Sequence, residues 1–350
     1  MGTRFALPAL LLSIGFAASI SSLMGSNVAS AAQGQRSALN GPTGIATCGA
    51  DVWVTNAVGN SVTEFNDATG AIVRFVSRAS SELAEPMGIA TNGIDLWVTN
   101  LSSSAITEIN CATGASIRVI SSGSLNAPVA VAVGGGSVWV ASQAHQSDAK
   151  GNIIANSSSV NSYSTRLGSL QKSIGGTNAN ALNGSSGVSL SGEKVWVTNA
   201  NGDSVTEFDA KTGGVVRVVK SGDGGFDWPM GVATTGADVW VENLNGNSLT
   251  EIDQSTGSVL RVISGDGLDG PDSICVLGRE IWVTNLYGNS VTVLNAHSGS
   301  LIRVIKSKSD GFSAPTGITG RGSSVWVTNQ WSNTVTELAA SSGSLIRIIH

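Results

Sequence analysis

From residue 42 onward, short apolar runs of four or five residues alternate with turn residues. One stretch shows the grammar: Gly231-Val232-Ala233-Thr234, Val239-Trp240-Val241-Glu242, Ser248-Leu249-Thr250-Glu251-Ile252 and Val259-Leu260-Arg261-Val262-Ile263. The runs are rich in β-branched residues, and Gly236 and Thr256-Gly257 stand between them where tight turns need positive φ. Four short antiparallel strands are predicted. The second is apolar on both sides (Val239, Trp240, Val241), so both of its faces are covered. The first is built of small residues and opens on a proline, which sets φ without removing a needed ladder bond. Such a strand suits a crowded axis.

This four-strand unit recurs. Its tryptophans are Trp53, Trp97, Trp139, Trp196, Trp240, Trp282 and Trp326, most of them 42 to 44 residues apart. Four residues before each lies a glycine, from Gly49 to Gly322, and eleven before most lies a proline (Pro42, Pro86, Pro128, Pro229, Pro271, Pro315). Ser185 replaces the proline of the fourth unit. The fourth run of every unit carries a base: Arg74, Arg118, Lys172, Arg217, Arg261, Arg303 or Arg347. Seven such units predict an all-β, seven-bladed β-propeller with four antiparallel strands per blade. The blades run at about 42–84, 85–126, 127–184, 185–227, 228–270, 271–314 and 315–350. Each begins with its inner strand and the last ends with its outer strand, so no strand is exchanged between the termini. The ring is then expected to close by side-chain packing between blades one and seven, with residues 33–40 peripheral. Glu64, Glu108, Glu207, Glu251 and Glu337 on third strands are expected to pair with the repeat base for a few tenths of a kcal/mol each.

Composition agrees and sets limits. Of 350 residues only 12% are charged, while 44 are glycine, which excludes a coiled coil and disfavours a helical enzyme. A net charge of −5 offers no basic surface for nucleic acid. Arg4, the apolar stretch Phe5 to Leu23 and the small residues Ala29-Ser30-Ala31 read as a secretory signal over residues 1–31, followed by a linker at 32–41. After signal cleavage no membrane span is expected, and the protein is placed as a monomer outside the cytoplasm, secreted or in the cell envelope. Cys48, Cys111 and Cys275 fall at different repeat positions, and three unpaired thiols are expected.

The segments Trp53 to Glu64, Trp196 to Glu207 and Trp326 to Glu337 follow the pattern Trp-Val-Thr-Asn-x-x-x-Asn-Ser-Val-Thr-Glu, with small variations. This pattern resembles the YVTN family of β-propeller repeats, found in bacterial exported and surface proteins, with Trp in place of Tyr. The resemblance covers residues 42–349. The Pro-x-Gly-Ile openings also resemble, more distantly, the virginiamycin B lyase family of seven-bladed propellers. That second resemblance implies a histidine, acidic residues and a divalent metal near the axis. The histidines here are His145 in a loop insertion, His297 in a turn and the terminal His350. None stands at an axial repeat position.

Residues that depart from the repeat on the axial face are the candidate site. Glu242 replaces the repeat threonine of the fifth unit, and Asp272 follows Pro271. Trp228 precedes Pro229, Tyr287 and Trp331 lie in second-to-third-strand loops, and Met87 and Met230 follow prolines. Aromatics, methionines and two acids on one rim suit a small or peptide-like ligand. Glu242 is expected to face the axial funnel beside Asp272 and Trp228 or Tyr287. The third unit adds an insertion at 143–157, and the Asp-Gly loops read as plain turns. Asn56 and its repeat equivalents read as caps of the following turn. No cofactor is expected. The leading expectation is a binding or scaffold protein for a protein, peptide or glycan. The alternative is a metal-dependent lyase or lactone hydrolase using Glu242 and Asp272 as ligands.

Overall fold

A computed structural model describes residues 38–350 apart from 144, 148–152, 157, 178, 221, 223, 224 and 307. The predicted signal lies outside the described residues. Within them the chain forms seven four-stranded antiparallel sheets, each paired in chain order, which build a seven-bladed β-propeller. In blade five the strands are Pro229–Thr234, Asp238–Asn243, Ser248–Asp253 and Val259–Ser264. The last blade takes all four strands from Pro315–Ile349, so no strand is exchanged. The insertion of blade three carries its own hairpin, His145–Ser147 against Ile153–Asn156.

All seven repeat tryptophans are buried between neighbouring blades. Hydrogen bonds stitch the same seams. Thr55 Oγ1 accepts from the Gly44 amide (2.8 Å) and donates to the Met87 carbonyl of the next blade (2.7 Å). Thr99, Thr198, Thr284 and Thr328 repeat this bridge. A Cβ on Gly44 would lie 2.4 Å from that carbonyl, which is why the inner strand carries glycine there. Further in, the repeat asparagines are fully buried. Asn56 Nδ2 donates to Thr63 Oγ1 of the third strand (2.9 Å), while its Oδ1 accepts from the Asn40 amide (3.2 Å). It therefore ties three segments together, a wider role than capping one turn.

The glutamate–arginine pairs form as expected, but their environment is different. Glu207 meets Arg217 at 2.7 Å and Glu337 meets Arg347 at 2.6 Å, and each glutamate is buried. The arginine then crosses the seam: Arg217 donates to Ser255 O at 3.1 Å, and Arg347 to Ala68 O at 2.8 Å. Because the carboxylate is sealed from water, losing its partner costs more than the few tenths expected of a surface pair. In blade six, where Val293 replaces the glutamate, Arg303 turns to Glu280 at 3.4 Å.

Two expectations are corrected. Residues 38–40 are not peripheral: Leu39 is 0% exposed and packs with Phe65, Trp326 and Val335 in the seam between blades one and seven. Cys48 and Cys111 are joined in a disulfide, leaving Cys275 as the free thiol. They sit at different repeat positions, but those positions meet across a seam. Ser191 and Gln254 occupy the same two positions between blades four and five and share a hydrogen bond of 2.9 Å. Arg321 and Asp67 occupy them between blades seven and one, 3.9 Å apart.

Candidate functional site

The loops that precede the inner strands and those joining second to third strands gather on one face. The residue before each inner strand (Gly41, Glu85, Ala127, Gly184, Trp228, Gly270, Ala314) has φ between 48° and 69°. Its amide donates to a side chain of the preceding blade's loop, as in Gly41 to Asn333 Oδ1 (2.7 Å) and Ala314 to Asn289 Oδ1 (2.8 Å). Most of these positions are small. Glu85 and Trp228 are not, and a ring as bulky as that of Trp228 at φ 58° is strained. Asp203, which accepts from the Trp228 amide at 2.9 Å, is a charged residue where other blades use a neutral side chain such as Asn60, Asn247 or Asn289.

The loops carrying three candidate aromatics form a continuous arc over blades five, six and seven. Trp228 O accepts from Leu244, at the start of the loop whose Asn247 Oδ1 accepts from Gly270 (2.6 Å). The ring of Tyr287 lies on Gly270, where a Cβ would come within 2.3 Å of it. Asn289 of the same loop accepts from Ala314, and the Trp331 amide donates to the adjacent Ser313 carbonyl (3.2 Å). Tyr287 is 48% and Trp331 75% exposed.

Carboxylates flank the arc. Burial, and Asp203 after it, raises the pKa of Asp227. Burial raises the Tyr287 hydroxyl, with Asp272 and then Asp269 acting in the same direction. Asp272 itself is pushed up to about 7 by desolvation. It is partly buried by surface area, as are most inner-strand positions.

Glu242 is placed differently from expectation. It couples to Asp272, but its carboxyl is 0% exposed and does not face open solvent. Oε2 accepts from the Gly231 amide at 3.2 Å, the donor position that a threonine hydroxyl accepts in the sibling blades. Among the described residues Oε1 has no hydrogen-bond partner. Desolvation first and Asp272 second hold its pKa well above the usual carboxylate range. Burial, then Glu242, pushes the Cys275 thiol up to about 12, which makes it an inert thiol. Met230 lies two residues beyond Trp228, whereas Met87 belongs to blade two and is outside the arc. Asp227 and Asp269 were read from the sequence only as parts of Asp-Gly loops taken as plain turns, and Asp203 was not singled out. Asp203 carried a signal, its charge at a loop position that is asparagine in other blades.

The donor set does not fit a divalent metal. Glu242 is committed to Gly231 and sealed between blades, and the described residues contain no group of three or more His, Cys, Asp or Glu side chains placed to hold one.

No family model and no curated protein matches the sequence. Solved structures share the fold at low identity. Virginiamycin B lyase from Staphylococcus aureus aligns with TM-score 0.67 and 17% identity, over 85% of this chain and 94% of its own. Kuenenia stuttgartiensis hydrazine synthase aligns with TM-score 0.70 and 18% identity, over 92% and 99%. BamB from Moraxella catarrhalis aligns with TM-score 0.56 and 16% identity, over 85% and 84%. These likenesses establish the propeller and leave its task open.

Proposed function

We propose that this chain is an exported β-propeller that binds a protein, peptide or glycan partner on the face carrying Trp228, Tyr287 and Trp331. The observation that carries the reading is the aromatic arc. Three consecutive blades break the repeat with an aromatic at the same loop layer, and two of those side chains stand in solvent. Exposed aromatics grouped on one face mark interaction sites more than they serve a fold. The N-terminal signal pattern and the Cys48–Cys111 disulfide support an oxidising, extracytoplasmic location. No helix among the described residues is long and apolar enough to cross a membrane.

The test compares capture from a cell-envelope extract by the parent and by a Trp228→Ala/Tyr287→Ala/Trp331→Ala variant of equal thermal stability. Loss of a saturable partner in the variant is expected. Equal capture by both would move the binding face elsewhere.

A further inference from the structure

We infer that the arc recognises a basic peptide segment, seating at least two cationic side chains on its aromatic faces. The inference rests on the reading of this face as the binding face and adds the chemistry of the ligand.

The face carries carboxylates without ion-pair partners among the described residues. Asp203 and Asp227 lie at the Trp228 end of the arc, and Asp269 lies beside Tyr287. Asp227 and Asp269 are exposed. Among the described residues none of the three makes an ion pair, although eight other pairs form elsewhere in the ring. Lys220 ends the outer strand of blade four, and Lys306 and Lys308 follow that of blade six; among the described residues none of them pairs with the three acids.

Beneath the arc lies a further acid, Asp272, whose field reaches Tyr287 and whose pKa of about 7 adds negative charge under the aromatic rim as pH rises. Glu242, sealed between blades, holds its proton more tightly and adds no fixed charge there.

Aromatic faces beside carboxylates bind ammonium and guanidinium groups, since ring quadrupole and carboxylate act in the same direction. Neutral sugars would use the rings and donate hydroxyls to the carboxylates, but only a cation also gains from the net negative charge of the face. The spread decides between a small free cation and a chain. Acid and aromatic are paired at two separate places, Asp203/Asp227 with Trp228 and Asp269 with Tyr287, and Trp331 extends the row into blade seven. One small cation fills only one such place.

The test uses the purified chain and fluorescein-labelled Lys-Gly-Lys-Gly-Lys, with Ser-for-Lys and Glu-for-Lys versions as comparators, titrated by anisotropy at low and moderate salt. The lysine peptide is expected to bind at least about tenfold tighter than the serine peptide and to weaken with salt. Trp331→Ala and Asp269→Asn, both on exposed side chains, are each expected to weaken it about fivefold or more. Ile94→Ala, in a turn on the opposite face, should leave it unchanged. Lysine and serine peptides binding within twofold of each other, or variants binding as well as the parent, would overturn the inference. A neutral oligosaccharide that binds the parent and not Trp331→Ala would overturn the basic ligand while leaving the binding face standing. If the triple aromatic variant captures partners as the parent does, both readings fall together.

Discussion

Five blades bridge to their neighbour with a threonine hydroxyl, and the fifth blade puts Glu242 in that place. A hydroxyl can accept from one blade and donate to the next, whereas an ionised carboxylate only accepts. Burial therefore disfavours the ionised form, and the pKa of Glu242 in the folded chain lies well above the unfolded value near 4.5. The native state holds a proton that the unfolded chain releases. The associated stability is complete below pH 4.5 and is lost as pH rises toward the folded pKa. Asp272, raised from 3.8 to about 7, adds a loss of the same sign across that interval. Glu242→Thr should restore the bridge and raise stability by about 1–2 kcal/mol near neutral pH. It should also flatten the fall in stability between about pH 5 and 8. Urea denaturation at three pH values checks both. A less stable variant with an unchanged pH slope would mean that the carboxyl is held by more than the Gly231 amide.

At the scale of the element, the unit of construction is the seam. The seam between blades one and seven uses the same parts as the others: Thr328 donates to Thr43 O at 2.7 Å, Gly41 to Asn333 at 2.7 Å and Arg347 to Ala68 at 2.8 Å. Residues 38–41 enter that seam as the lead-in to the first inner strand, with Thr63 Oγ1 donating to the Ala38 carbonyl (2.5 Å). Leu39→Ala is expected to cost about 2–4 kcal/mol, because its cavity would open beside Phe65 and Trp326, which are held by their own strands. Thermal and chemical denaturation of that variant measure it. A loss under about 0.5 kcal/mol would return the segment to the periphery.

For the molecule as a whole, the disulfide is one covalent link in a ring otherwise closed by packing and hydrogen bonds. Cys48 and Cys111 are 63 residues apart and join blades one and two. Constraining a loop of that length in the unfolded chain is worth about 4 kcal/mol in the chain-entropy account. A Cys48→Ala/Cys111→Ala variant should therefore unfold at a clearly lower temperature while keeping the far-ultraviolet spectrum of the propeller. Reductant should lower the parent to the same point and leave the variant unchanged. A variant as stable as the parent would show that the unfolded chain gains little freedom when the link is cut.

The number of blades, the order of their strands and the burial of the tryptophans follow from the sequence alone, because each is a local pattern repeated seven times. Trp240 between Val239 and Val241, with a turn glycine on one side and Asn243 on the other, already specifies a strand covered on both faces. The aromatic departures were legible for the same reason: Trp228 stands where the other six blades carry no aromatic, and Tyr287 and Trp331 share a loop position at which the other five carry none. What depends on two blades meeting was not legible. Cys48 and Cys111 hold different repeat positions, and only the stagger of adjacent sheets brings them together, as it does Ser191 with Gln254. The burial of Glu242 was decided in the same way: its alternation in the strand points it out of its own blade, and the next blade closes over it. Alternation along a strand determines which side a residue takes, but the packing of a second sheet decides whether that side is solvent or seam.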